Sequence, residues 1–130
     1  FGKVLLFTNN DTNATNCFKQ WIPENINYHT INSNDLNVDC VEIHTGRLSN
    51  LVKAKKNYNA ELNRIKKSSV LAKKLNIEVH AGHGLDYQTT KILSKINEIQ
   101  EFNIGHFIIG ESIFFGLSKV IRNFKKIIKK

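Results

Sequence analysis

Ile77-Glu78-Val79-His80-Ala81-Gly82-His83-Gly84 is the stretch on which the reading of this chain turns. Ile77 to His80 is short, alternating and partly β-branched, which predicts a strand. Ala81 to Gly84 then reads as a tight glycine turn that leads into a helix around Gln88 to Ile96. The same order recurs on either side. Upstream, Asp39 to His44 predicts a strand closed by the breaker Thr45-Gly46. Leu51 to Leu75 then carries one long helical pattern, with Tyr58, Leu62, Ile65, Ala72 and Leu75 on a common face and Asn76 ending it. Downstream, Glu101 to Ile104 predicts a strand, followed by Gly105-His106 and a short apolar helix around Ile108 to Phe115. Gly116 separates it from a final amphipathic helix in which Leu117, Val120, Ile121, Phe124, Ile127 and Ile128 share a face. At the other end, Lys3 to Thr8 reads as a buried strand.

Strand and helix thus alternate through the chain, which predicts a parallel α/β sheet in a single domain over residues 1–130. Residues 9–38 depart from the pattern. They form an atypical Asn-rich insertion or divergent segment that holds Trp21 and Pro23, with a weak helix at Asn16 to Trp21. In parallel α/β folds, ligands bind at the carboxyl ends of the strands. The turns at His44 to Gly46, His80 to Gly84 and Asn103 to His106 all follow strands.

With 130 residues, 41% hydrophobic and 23% charged, the chain has the composition of a soluble globular protein with one core. Nineteen basic residues against eleven acidic ones give +8, which favours anionic partners. The apolar runs Val4 to Phe7 and Phe107 to Ile109 fall far short of the ~20 residues a spanning helix needs. The N-terminus lacks the zones of a signal peptide, and Cys17 and Cys40 have neither CxxC nor framework spacing, so reduced thiols in the cytoplasm are expected. Lysines at Lys53 to Lys56, Lys66-Lys67, Lys73-Lys74 and Lys125 to Lys130 fall on the solvated faces of predicted helices, without a recognition motif or an aromatic platform. Neither nucleic acid nor membrane is therefore expected as a partner.

Gly82, Gly84 and Gly105 permit positive φ and close backbone approach, and each lies shortly before a predicted helix whose free N–H groups attract anions. In (β/α)8 barrels, the last strand-to-helix loops followed by a short extra helix form a recurrent phosphate site, and the helix at Ile108 to Phe115 fits that arrangement. Plain tight turns would show the same glycines. His44, His80, His83 and His106 sit at or just beyond predicted strand ends, which suggests acid/base work near neutral pH. A tetrahedral zinc set is the rival use of these histidines, with only Glu42 or Asp86 near enough to add a carboxylate. Glu42 and His44 lie two apart on one strand and share a face. If that face lines a barrel, Glu42 is either a charge stabiliser or a paired structural carboxylate.

Val41 to Gly46 (VEIHTG), Val79 to Tyr87 (VHAGHGLDY) and Phe102 to His106 (FNIGH) are three segments that together resemble pyridoxine 5′-phosphate synthase. Their order and spacing match as well, as does the tail from Ile108-Ile109-Gly110 to Gly116-Leu117. The resemblance covers Val41 to Lys130 well and Lys3 to Phe7 weakly. It implies a (β/α)8 (TIM) barrel enzyme of vitamin B6 biosynthesis, of which this chain carries about the last four βα units. The family condenses 3-amino-2-oxopropyl phosphate with 1-deoxy-D-xylulose 5-phosphate, giving pyridoxine 5′-phosphate and phosphate without metal or organic cofactor. By motif, His83 matches the proton donor, and Gly84 matches a contact to the aminoketone phosphate. Gly105 and His106 match the loop that holds the same substrate, and Glu42 matches the carboxylate that stabilises the transition state. His44, Thr45 and His80 belong to the matching segments without an assigned role.

The departures are as informative. The family's first half carries an Asn-x-Asp-His strand, a His and a Glu used as bases, and arginines for the second phosphate, none of which stands here in its context. His29 and Glu24 lie in the Asn-rich segment and match nothing in the family, and Glu111 stands where Arg or Ala is common. Four βα units leave open sheet edges, so the expected partners are a complementary N-terminal half-barrel or further copies of the chain in a homo-oligomer. A phosphate-ligand binding or assembly module without turnover is the alternative function, and a His-ligated metal hydrolase a weaker one.

Overall fold

In the computed structural model, residues 4–7 and 39–128 are described. The weak helix expected at Asn16 to Trp21, the rest of the Asn-rich segment, and Cys17 with it lie outside them. Four parallel strands form one sheet: β1 (Val4–Phe7), β2 (Cys40–His44), β3 (Glu78–Gly82) and β4 (Ile99–Asn103). The strands stand side by side in chain order. Glu42 pairs with His80, and Gly82 is flanked by His44 on one side and Asn103 on the other. Among the described residues, five helices connect and follow the strands: α1 (Gly46–Lys53), α2 (Asn59–Lys74), α3 (Tyr87–Leu93), α4 (His106–Phe115) and α5 (Leu117–Ile128). No described helix is long and apolar enough to cross a membrane.

Alternation sends Val41, Ile43, Val79 and Ala81 to one face of the sheet, where they join Leu48 and Val52 of α1, Ile65 and Ala72 of α2, and Leu93 of α3 in the core. Side chains such as Ile43, Leu48 and Ile65 are fully buried, each contributing roughly 1.5–3 kcal/mol of apolar burial. The intervening residues Glu42, His80, Glu101 and Asn103 lie on the opposite face, partly or fully exposed. The sheet therefore has a dry side that holds the helices and a polar side that carries ionisable groups.

The helix expected over Leu51 to Leu75 is two helices, α1 and α2. Lys55 adopts φ 53°, and the N–H groups of Lys55 and Lys56 turn back to the carbonyls of Val52 and Leu51. This is a helix-ending motif that usually recruits glycine. Asn57 then accepts a hydrogen bond from the Asn59 N–H (2.9 Å) as α2 begins. Hydrophobic periodicity cannot register a stop built on lysine. α2 ends as expected at Asn76, whose φ of 57° lets Ile77 N–H reach Ala72 O at 3.0 Å. Thr45-Gly46 closes β2 as expected, and it also opens α1 directly. β3 runs on to Gly82, two residues past the expected end, because the backbone there still pairs with both neighbours. Asp86 and Thr89 form a reciprocal capping box that starts α3, with Thr89 N–H to Asp86 Oδ1 at 2.8 Å.

Tyr87 of α3, Phe107 of α4 and Phe124 of α5 interlock, with ring centroids 4.6 to 5.9 Å apart. This cluster fixes the start of α4 against the loop after β3. The rest of α4 buries no side chain, and Ile109, Ile113, Phe114 and Phe115, followed by Leu117, stand exposed.

Candidate active site at the carboxyl end of the sheet

The loops after β3 and β4 enclose a pocket of about 540 Å³ lined by Lys53, His83, Gly84, Leu85, Asn103, Ile104, Gly105, His106 and Phe107. It therefore gathers His83, Gly84, Gly105 and His106, four of the residues singled out from the sequence. A shallower depression of about 360 Å³ along α2, lined by Lys66, Lys67 and Lys74 among others, lies on the solvated lysine face.

His83 holds the left-handed conformation, φ 75°, and Gly84 follows with φ 74°. Two consecutive residues of this kind cost energy for any side chain but glycine's, so His83 needs external support. Support comes from the turn after β2. The Thr45 hydroxyl, fully buried, reaches the carbonyls of both Gly82 and His83 at 2.8 Å, and Thr45 N–H donates to Gly82 O at 2.8 Å. The His44 and His83 rings stack with centroids 4.1 Å apart and planes 28° from parallel. Beneath them, a Cβ on Gly46 would lie 2.7 Å from His83 Cδ2 and 2.8 Å from His44 Cε1. Glycine is needed there for space.

Glu42 sits beside this turn. Asn103 Nδ2 donates to its Oε2, and the two side chains meet over Gly82 on the strand between them. A Cβ on Gly82 would fall 2.5 Å from the Glu42 carboxyl carbon and 2.9 Å from Oε2, so Gly82 leaves room for the carboxylate. Neither Gly82 nor Gly105 uses the positive φ expected of them; among the described glycines only Gly84 and Gly116 do. Gly105 precedes α4 with φ −106° and open space around its Cβ position. The first turn of α4 has no side-chain cap and no acidic residue, leaving N–H groups and the positive helix end beside the pocket.

Burial lowers the pKa of His44, and the neighbouring His83 and the Arg64 guanidinium push it further the same way. Its Nδ1 is buried without a hydrogen-bond partner. Arg64, held by Glu61 through bonds of 2.7 and 3.0 Å, also donates to the His44 carbonyl at 3.3 Å. This buried ion pair ties α2 to the end of β2. Burial likewise raises the pKa of the Cys40 thiol, as do nearby carboxylates, Glu78 foremost.

The four-histidine metal set is not assembled. His80 lies within β3 rather than at its end, with Nε2 3.1 Å from Glu78 and 3.9 Å from Glu101. His44 and His83 stack on each other, while His106 faces the pocket. Asp86, the carboxylate weighed as a ligand, caps α3. Among the described residues the only cluster with metal-ligand spacing is Glu78, His80 and Glu101, already engaged with one another.

Lys53 and Asn103 also line the pocket, although no motif in the sequence marks either of them. Lys53 belongs by pattern to the solvated lysine face, although it is the last residue of a helix that starts at the His44 turn. Asn103 lies within the Phe102 to His106 motif, but its contact with Glu42 depends on an empty position across a strand.

A family model described as pyridoxal phosphate biosynthesis protein PdxJ matches residues 17–130. The pyridoxine 5′-phosphate synthase of Pelagibacter ubique (strain HTCC1062) is 65% identical over 96 residues, covering 74% of this chain and 40% of that protein. The synthase of Zymomonas mobilis subsp. mobilis is 49% identical over 90 residues, 69% of this chain and 34% of its own. That of Sulfurihydrogenibium sp. is 45% identical over 94 residues, 72% and 38%. The matched region is thus 40% or less of the length of each of these relatives.

Proposed function

Because the chain belongs to the family of the pyridoxal phosphate biosynthesis protein PdxJ, we propose that it supplies the phosphate-gripping part of a pyridoxine 5′-phosphate synthase. In this reading it works with a complementary half on 3-amino-2-oxopropyl phosphate and 1-deoxy-D-xylulose 5-phosphate. The observation that carries the proposal is the single pocket shared by His83, Gly84, Gly105 and His106. An aminoketone phosphate fits there with its dianion against the uncapped start of α4, beside Lys53 and His106. Its carbonyl end then faces His83, the proton donor for imine formation, elimination and ring closure. Glu42, oriented by Asn103 and given room by Gly82, stabilises positive charge that builds on the reacting nitrogen.

The same reading makes the four parallel strands about half of a (β/α)8 barrel whose polar face looks inward. Closure comes from an N-terminal half-barrel, and a homo-oligomer of cytoplasmic chains is the expected assembly. The test is product formation by that assembly with both substrates. His83→Ala abolishes turnover while the circular dichroism spectrum stays native; normal turnover in H83A removes the catalytic role. Substrate binding without turnover in the complete wild-type assembly would instead establish the non-catalytic binding module.

A further inference from the structure

We propose that Thr45 is a positioning residue for His83, and that the whole β2–α1 turn acts as a template that sets the direction of the His83 ring. The inference rests on the reading above, in which His83 delivers protons. His83 is exposed and its backbone is left-handed, so neither packing nor conformational preference fixes it from its own side. Its backbone bond and its ring stack both come from the neighbouring turn. The Thr45 hydroxyl reaches the carbonyls on both sides of the His83 backbone, each at 2.8 Å. The His44 ring lies over the His83 ring at 4.1 Å, and Gly46 provides the floor on which both rest. The template is itself anchored: Thr45 is fully buried, and the Glu61–Arg64 pair holds the His44 carbonyl. A general acid must meet its proton acceptor within hydrogen-bond reach, and a displacement of 1 Å can cost about 100-fold in rate.

Thr45→Val keeps the shape and removes the hydroxyl. In the active assembly, it is expected to lower kcat about 10- to 100-fold, with the KM for the aminoketone phosphate staying within about 3-fold. Thr45→Ser restores the hydroxyl and recovers most of kcat. Histidine-labelled NMR supplies a readout independent of turnover: stacked imidazoles shift each other's ring protons upfield, and T45V loses that shift while T45S keeps it. If T45V does not fold, Gly46→Ala takes its place, since its new Cβ would fall within 2.8 Å of both rings and must displace them. Wild-type kcat with an unaltered ring shift in folded T45V, or in G46A, overturns the proposal. Equal losses in T45S and T45V also overturn it. Should the wild-type assembly make no product, the synthase reading falls, and the ring shift alone decides whether the turn orients His83.

Discussion

Gly82→Ala tests whether the empty space over β3 exists for Glu42. The backbone at Gly82 does not use positive φ, so alanine fits its conformation, and the folded chain should lose little stability. The new methyl would lie 2.5 Å from the Glu42 carboxyl carbon and 2.9 Å from Oε2, about 1 Å inside ordinary contact. The carboxylate therefore moves by roughly that amount and gives up its bond from Asn103. With Glu42 in the charge-stabilising role proposed above, a misplacement of about 1 Å corresponds to ~100-fold in kcat, or about 2.7 kcal/mol of barrier. The assay is steady-state pyridoxine 5′-phosphate formation by the active assembly for wild type, G82A, Glu42→Ala and the double variant. If Gly82 acts only through Glu42, adding G82A to E42A costs nothing further, and the cycle shows a large coupling. Wild-type kcat in G82A, or full additivity in the double variant, would refute the reasoning.

Three further outcomes are expected. Gly84→Ala destabilises the fold by roughly 1–2 kcal/mol in urea unfolding because its φ is 74°, whereas Gly105→Ala, with open space and negative φ, leaves unfolding unchanged and acts only on substrate KM. Arg64→Leu leaves the buried Glu61 carboxylate only the longer contact to Arg47 (3.8 Å) and costs up to about 3–5 kcal/mol by the same measurement, and pairing it with Glu61→Leu recovers much of the loss. The lowered pKa of His44 means that the unfolded chain binds its proton first: stability is present above pH ~6.5 and falls as pH drops through the window between that value and the folded pKa, a dependence that His44→Phe should flatten.

Strand positions and the loops after them were legible because alternation and glycine punctuation are local signals. Glu42, His83, Gly84, Gly105 and His106 stood out on type and place, and the last four do line one pocket. Glu42 instead stands beside it, joined to the pocket residue Asn103. Three features escaped for physical reasons. The stop between α1 and α2 depends on a left-handed lysine, a choice that propensity argues against. Gly82 and Gly46 are glycines because another residue's side chain occupies their Cβ space, which only tertiary structure reveals. Thr45 looked like part of a breaker, yet its hydroxyl spans to residues nearly forty positions away.

The strands lie side by side in chain order, which bears on how the protein is made. During synthesis each strand emerges to find its sheet partner already delivered, so pairing proceeds as short sequential additions rather than as a search among distant segments. The left-handed turn at His83 leaves the ribosome after the Thr45 hydroxyl that steadies it. The aromatic lock on α4 comes last, because Phe124 must arrive before Tyr87 and Phe107 are fully clasped. The pocket is thus the final part of this stretch to become rigid, and ribosome-bound chains stalled before Phe124 would carry a sheet with that pocket still ajar.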